Sequence, residues 1–192
     1  MSGTRRILLA VSALALSVGC VRSSGADVGS RLAAVEQASR PEVALDKARA
    51  FARIGDFTRA EQYLRLALDG GGDERELTPL LVEACVRDHR YQDAVQHVEH
   101  YLRRHPEDSR LRFVLASLEA AIGGHERAQR EYEKVLQAEP NNSDAHYALA
   151  VLLRDRIANL SAADQHFREY LRLRPGGRHA EEARAALLEV VP

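Results

Sequence analysis

Apolar positions recur in phrases of fixed spacing along most of this chain. Ala60/Leu64/Ala67/Leu68, Ala94/Val98/Tyr101/Leu102 and Ala128/Tyr132/Val135/Leu136 share one pattern, and their first alanines are evenly spaced. A fourth copy, Ala163/Phe167/Tyr170/Leu171, arrives one place late. Steps of four and three put each set on one face of a helix. Pro106, Pro140 and Pro175 close the last three phrases, and Gly72 stands at that place in the first. A period of this length predicts one supersecondary unit stacked several times, each copy burying its apolar face on the next.

The residues between the phrases predict an earlier helix in every unit. Pro41–Arg53 carries Ala44, Ala48 and Phe51 on one stripe and stops at Gly55-Asp56. Thr58–Leu68 follows, before the Gly70-Gly71-Gly72 break. The second unit runs from about Glu76 to Pro106 with its turn at His89-Arg90, and the third from about Ser109 to Pro140 with its turn at Gly123-Gly124. The fourth runs from about Ser143 to Pro175 and turns near Asn159, where one added residue accounts for the late register. Ser143 and Ser161 are expected as helix caps, because a hydroxyl accepts from unpaired first-turn amides. Ala180–Val190 predicts one further amphipathic helix, with Glu181, Glu182, Arg184 and Glu189 outward. It suits a terminal cap, and the apolar ending Leu187-Leu188-Glu189-Val190-Val191 is expected to pack back on the repeats.

The segment ahead of Pro41 follows another logic. Arg5 and Arg6 precede the uncharged run Ile7–Val18, which is short for a bilayer span of about 20 residues. Gly19 then precedes Cys20, the layout of a secretory signal peptide. Leu16-Ser17-Val18-Gly19-Cys20 resembles a bacterial lipobox, with Ser17 where Leu is usual. That resemblance implies cleavage after residue 19 and lipidation of Cys20. Each acyl methylene buried in lipid contributes about 0.8 kcal/mol, so several chains anchor a protein without a transmembrane helix. Val21 follows, where Asp retains enterobacterial lipoproteins at the inner membrane, so the expected location is the outer membrane, facing the periplasm. Residues 21–30 read as a flexible tether and 31–39 as a short helix.

The organisation expected is therefore a signal peptide over 1–19, a lipidated Cys and tether over 20–40, four repeats over 41–175 and a capping helix over 178–192. The repeats divide at about 41–74, 75–108, 109–142 and 143–177. Ala, Leu, Arg and Glu dominate the composition, which favours helices, and 29% charged residues keep most of the chain soluble. Net charge is −1; without residues 1–19, which hold two arginines and no acid, it becomes −3. No global field draws in nucleic acid.

Candidate chemistry is sparse. With Cys20 acylated, Cys85 is the only thiol, and its apolar slot marks it as a small buried hydrophobe. His97 and His100 lie three apart on one predicted helix, with His89 and His105 at its ends. Two ligands on one helix do not complete a zinc site, and the pattern places both as solvated surface histidines. His-Glu-x-x-His, Gly-x-Ser-x-Gly and a Gly-Lys-Ser/Thr phosphate loop do not occur. Arg103-Arg104-His105 sits at a helix end, where cations favour the dipole. No catalytic residue, metal, cofactor or small-molecule substrate is expected.

Ala48, Ala116 and Ala150 on first helices, the second-helix alanines and the closing prolines together resemble tetratricopeptide repeats, over about residues 41–175. Val82 replaces the small residue in the second unit, and Glu119 stands where tyrosine is usual in the third. The resemblance implies an all-α, right-handed superhelix, an α-solenoid of about four helix pairs plus the capping helix. It also implies a concave groove lined by first helices. Carried onto this chain, the groove positions are Leu45, Arg49, Arg53, Glu83, Val86, Arg87, Arg110, Phe113, Ser117, Tyr147, Val151 and Arg154. Arginines beside aromatics suit an extended peptide or helix bearing carboxylates. The Lys/Asn/Arg clamp that grips chaperone tails in some cytosolic repeat proteins is not reproduced. The expected function is a non-enzymatic, membrane-anchored adaptor or assembly factor in the bacterial envelope. Repeat lipoproteins that resemble it include secretin pilotins and outer-membrane assembly factors. The competing reading is a regulatory subunit that activates an envelope enzyme such as a cell-wall hydrolase or synthase.

Overall fold

A computed structural model describes residues 40–188, all within one compact unit, Gln37–Pro192. Cys20, the segments before Arg40 and the stretch from Glu189 onward lie outside the described residues. Helices run in four antiparallel-paired units: α1 Pro41–Arg53 and α2 Phe57–Asp69, α3 Glu74–Arg87 and α4 Tyr91–Arg104, α5 Ser109–Ala121 and α6 His125–Ala138, α7 Ser143–Leu152 and α8 Leu160–Leu173. A π-helical segment, Leu153–Ile157, extends α7, and α9 Ala180–Ala185 closes the described chain. Each helix packs chiefly on its neighbours in sequence, and α9 packs on α8. The described residues form the all-α solenoid of four helix pairs with a closing helix.

The repeated alanines explain the pairing. Ala48 and Ala60 line one hollow, Val82 and Ala94 share a core cluster, and Ala116, Ala128, Ala150 and Ala163 share another. All eight are buried. Alanines at these places, with Val82 the one larger residue, let the two helix axes approach, and the larger residues beside them fill the remaining groove. Tyr101, Phe167 and Tyr170 are fully enclosed, each burial contributing about 1.5–3 kcal/mol.

Side-chain caps differ from the expected serines. Asn142 caps α7 by accepting the Ala145 amide at 3.0 Å, and Asn159 caps α8 by accepting the Ala162 amide at 3.2 Å. Ser143 and Ser161 therefore sit inside their helices, because an asparagine ahead of each already supplies the oxygen. Asp56, Asp73 and Asp108 act in the same way for α2, α3 and α5.

The turn inside each unit shows where the period slips. The amides of Asp56, Arg90 and Gly124 donate back five places, to the carbonyls of Phe51, Cys85 and Glu119. In the fourth unit the Asn159 amide donates back six, to Leu153. The added residue is held in the π-helical turn, which is how a helix absorbs an insertion without losing its face. The residue ahead of each second-helix cap is left-handed: Gly55 (φ 80°), His89 (58°), Gly123 (88°) and Ala158 (61°). Glycine takes this conformation freely, whereas His89 and Ala158 adopt it at a cost.

The closing helix is shorter than Ala180–Val190. It stops at Ala185, and just beyond it the Leu188 amide donates to Asp164 Oδ1 at 2.8 Å while the Leu188 carbonyl accepts from Arg168. These side chains take the groups that another helical turn would have used. Ala183 is buried; of the expected apolar ending, Leu187 packs partly buried on the last core cluster and Leu188 stays exposed, and the rest lies outside the described residues. Glu181, Glu182 and Arg184 face outward as expected.

Candidate protein-binding groove

First helices supply the groove positions, and the solenoid gathers some of them. Phe113 and Ser117 on α5 meet Tyr147 and Val151 on α7 around a hollow of about 450 Å³. Its wall is aromatic: Phe113 packs edge-on to Tyr132 at 5.4 Å, and Tyr147 packs against Phe167 and Tyr170. The Ser117 hydroxyl lies 2.9 Å from the Phe113 carbonyl and 2.9 Å from the Tyr132 hydroxyl, so the floor of the hollow is tied down. Burial raises the pKa of the Tyr132 phenol. Burial first, then the hydrogen bond to Glu182, pushes Tyr147 up to about 12, so both phenols stay neutral at ordinary pH.

Other groove positions go elsewhere. Arg49 and Glu83 border a small apolar hollow of about 80 Å³ with Phe57, Leu64 and Leu80. Arg49 reaches Glu76 at 3.3 Å, and Arg87 lies 3.9 Å from Glu83 and over the Phe57 ring. Leu45 packs on the first core cluster and Val86 on the second, while Arg53 and Arg110 are exposed. Arg154 turns to Asp155 and Glu182 and lies over Phe167, outside the lining of the larger hollow. Asp155 is held below the usual carboxylate range by that hydrogen bond from Arg154.

The larger hollow also takes residues that the groove pattern does not contain. Arg156 comes from the π-helical turn, and Arg178 and His179 from the link to α9. His179 stacks on Tyr147 with ring centroids 3.9 Å apart, and its amide donates to the Tyr170 hydroxyl. Gly177 makes this return possible, since a Cβ there would lie 2.5 Å from that hydroxyl. The carboxylates at the rim are engaged: Asp155 by Arg154, and Asp144 by Arg174 at 3.8 Å. Arg156 and Arg178 are left as the exposed cations of an apolar pocket. A pattern drawn from first helices alone misses them, because they lie past the helix ends.

The second-helix side also departs from the expected picture. His100 is exposed as expected, but His97 is half-buried, with Nε2 3.2 Å from Glu61 Oε1. His97 is therefore not a solvated surface histidine: Glu61 on α2 comes up beside α4 only when the first two repeats stack. Cys85 is fully buried as expected, and burial raises its thiol to about 11.

Residues 86–152 match the family model for a tetratricopeptide repeat. No curated protein matches the sequence. Among solved structures, the chain is similar to YrrB, described as a tetratricopeptide-repeat protein with an unusual peptide-binding site, at 17% identity and a TM-score of 0.65, over 83% of this chain and 88% of that one. A tetratricopeptide-repeat protein from Parabacteroides merdae aligns at 23% identity and a TM-score of 0.67, over 76% of this chain but 58% of its own length. MamA from Desulfovibrio magneticus aligns at 18% identity and a TM-score of 0.62, over 74% of this chain and 80% of that one. At these identities the likeness concerns the fold. Residues 86–152 thus match a tetratricopeptide repeat, and the described solenoid shares the fold of tetratricopeptide-repeat structures.

Proposed function

We propose that this protein is a non-enzymatic adaptor that holds a peptide or helix of a partner protein in its concave face. The observation that carries the reading is the 450 Å³ hollow between α5 and α7, with aromatic walls and two arginines at its rim. Such a pocket takes an apolar side chain while Arg156 and Arg178 grip a neighbouring carboxylate. The described fold, similar to that of a protein with a peptide-binding site, supports an interaction role. Membrane attachment rests on the Leu16–Cys20 resemblance to a lipobox, and with it an envelope role, at the outer membrane and facing the periplasm. Pilotin-like and outer-membrane assembly roles are both compatible with an anchored adaptor.

The test is in-cell crosslinking followed by capture of the full chain. Combining Val151→Asp with Arg156→Ala and Arg178→Ala is expected to abolish partner capture with the helical spectrum unchanged. Undiminished capture removes the hollow from the argument. Replacing Arg49 and Arg87 by Ala tests the other end of the groove in the same assay. Cys20→Ala is expected to lose fatty-acid labelling and membrane association, and a protein that remains labelled overturns the anchor. A regulatory subunit would in addition change the turnover of a captured enzyme, which a scaffold leaves as it was.

A further inference from the structure

We propose that Glu61, Cys85 and His97 form a binding site for a divalent transition-metal ion of the zinc class. The three residues come from α2, α3 and α4, and one donor atom of each lies within 4.8 Å of the others. Glu61 Oε1 and His97 Nε2 are already 3.2 Å apart, close to the separation of two ligands on one tetrahedral ion. Zinc bonds of about 2.3 Å to sulfur and 2.0–2.2 Å to nitrogen and oxygen require the third donor to close by about an ångström, within reach of side-chain rotation. A thiolate, an imidazole and a carboxylate make a donor set that suits this ion better than magnesium or calcium, which select oxygen.

The surroundings favour a cation. Arg90 donates to the other oxygen of Glu61, Oε2, at 2.5 Å, so Oε1 is the oxygen turned towards His97 and the ion. The same guanidinium is engaged by Asp88 at 2.9 Å and Asp93 at 3.0 Å. Three carboxylates thus face one guanidinium, and the excess of negative charge is what an entering dication neutralises. Arg90 also fixes the orientation of the carboxylate, as outer partners of metal ligands do. His97 borders two hollows on the second-helix face, of about 600 and 280 Å³, so the imidazole is the side from which an ion would reach the three donors. On binding, the ion replaces the thiol proton, which leaves to solvent. The site owes nothing to the concave face and stands or falls apart from the adaptor role.

The experiment titrates the reduced full chain with cobalt(II) chloride. The expected result is a thiolate-to-cobalt charge-transfer band that saturates at one ion per chain and is bleached by zinc. Cys85→Ser is expected to abolish the band, whereas Cys20→Ser keeps it. His97→Gln, at a half-buried position that leaves the core intact, is expected to weaken cobalt binding by more than the roughly 10–100-fold that loss of an outer partner costs. No band, a band that survives Cys85→Ser, or unchanged affinity in a folded His97→Gln chain each overturns the proposal and leaves a hydrogen-bonded Glu61–His97 pair only. If Cys85→Ser does not fold, His97→Gln decides.

Discussion

The contact between the first two repeats and the interior of the last repeat are filled by different chemistry. In the first pair, Glu61 is only 9% exposed and meets Arg90 and His97 beside the thiol of Cys85. Inside the last unit, Tyr147, Phe167 and Tyr170 pack ring against ring with His179 from the link to α9, and the hollow with arginines at its rim opens beside them. One slot shows the same freedom. Phe51, Cys85, Glu119 and Leu153 recur at the period of the repeat and accept the closing backbone bond of their turns, yet their side chains have nothing in common. Backbone period fixes where a side chain sits, and the occupant decides what the place can do.

The comparison is broken most severely from the aromatic side. Phe167→Ala, at a fully buried position, is expected to destabilise the protein by about 3–5 kcal/mol in urea unfolding, through lost transfer energy and the cavity left behind. On the polar side, Arg90→Met keeps most of the side-chain volume but strips Glu61 of its guanidinium. The expected loss is about 1.5–3 kcal/mol, read by the same titration. Added salt is expected to narrow the gap between wild type and Arg90→Met and to leave the Phe167→Ala deficit unchanged, because only the former is electrostatic.

Smaller effects sharpen the comparison between turns. Ala158→Gly and His89→Gly relieve left-handed backbone and are each expected to stabilise by about 0.5–1 kcal/mol. Gly55→Ala, where a Cβ meets nothing within 4 Å, is expected to destabilise by a similar amount through φ alone. Glu119 gives the subtlest reading. Burial raises its pKa, so the folded state holds its proton more firmly than the unfolded chain does. Its contribution is most favourable below the ordinary carboxylate range and is lost as pH rises through the folded value. Glu119→Gln should therefore gain in melting temperature relative to wild type as pH rises from about 4 towards 7. A constant difference across that range would remove burial as the cause.

Much of this architecture was legible in the sequence because helical packing is periodic. An apolar face that returns at a fixed interval can be buried only by stacking, so the helix pairs and their turns follow from spacing. Even the late alanine at 163 pointed to one added residue near Asn159. The helix ends were less legible, since Asn142 and Ser143, or Asn159 and Ser161, are comparable hydrogen-bond acceptors, and the backbone angles at each end select between them. The groove was legible only by its first-helix members. Phe113, Ser117, Tyr147 and Val151 come together, whereas Arg154 is drawn off by Asp155 and Glu182, both of which are placed by the final turn and α9.

By itself, then, the sequence determined the repeating unit, its number, the alanines at most helix crossings and the burial of Cys85, because each is a local consequence of a fixed period. Tertiary structure decided which residues from different units share a space. Glu61, Cys85 and His97 come from three helices of two repeats, and Val151 on α7 is parted from Arg178 by the whole of α8. No local rule joins them. They meet because each repeat buries its face on the next, and the angle of that stacking sets which side chains fall together.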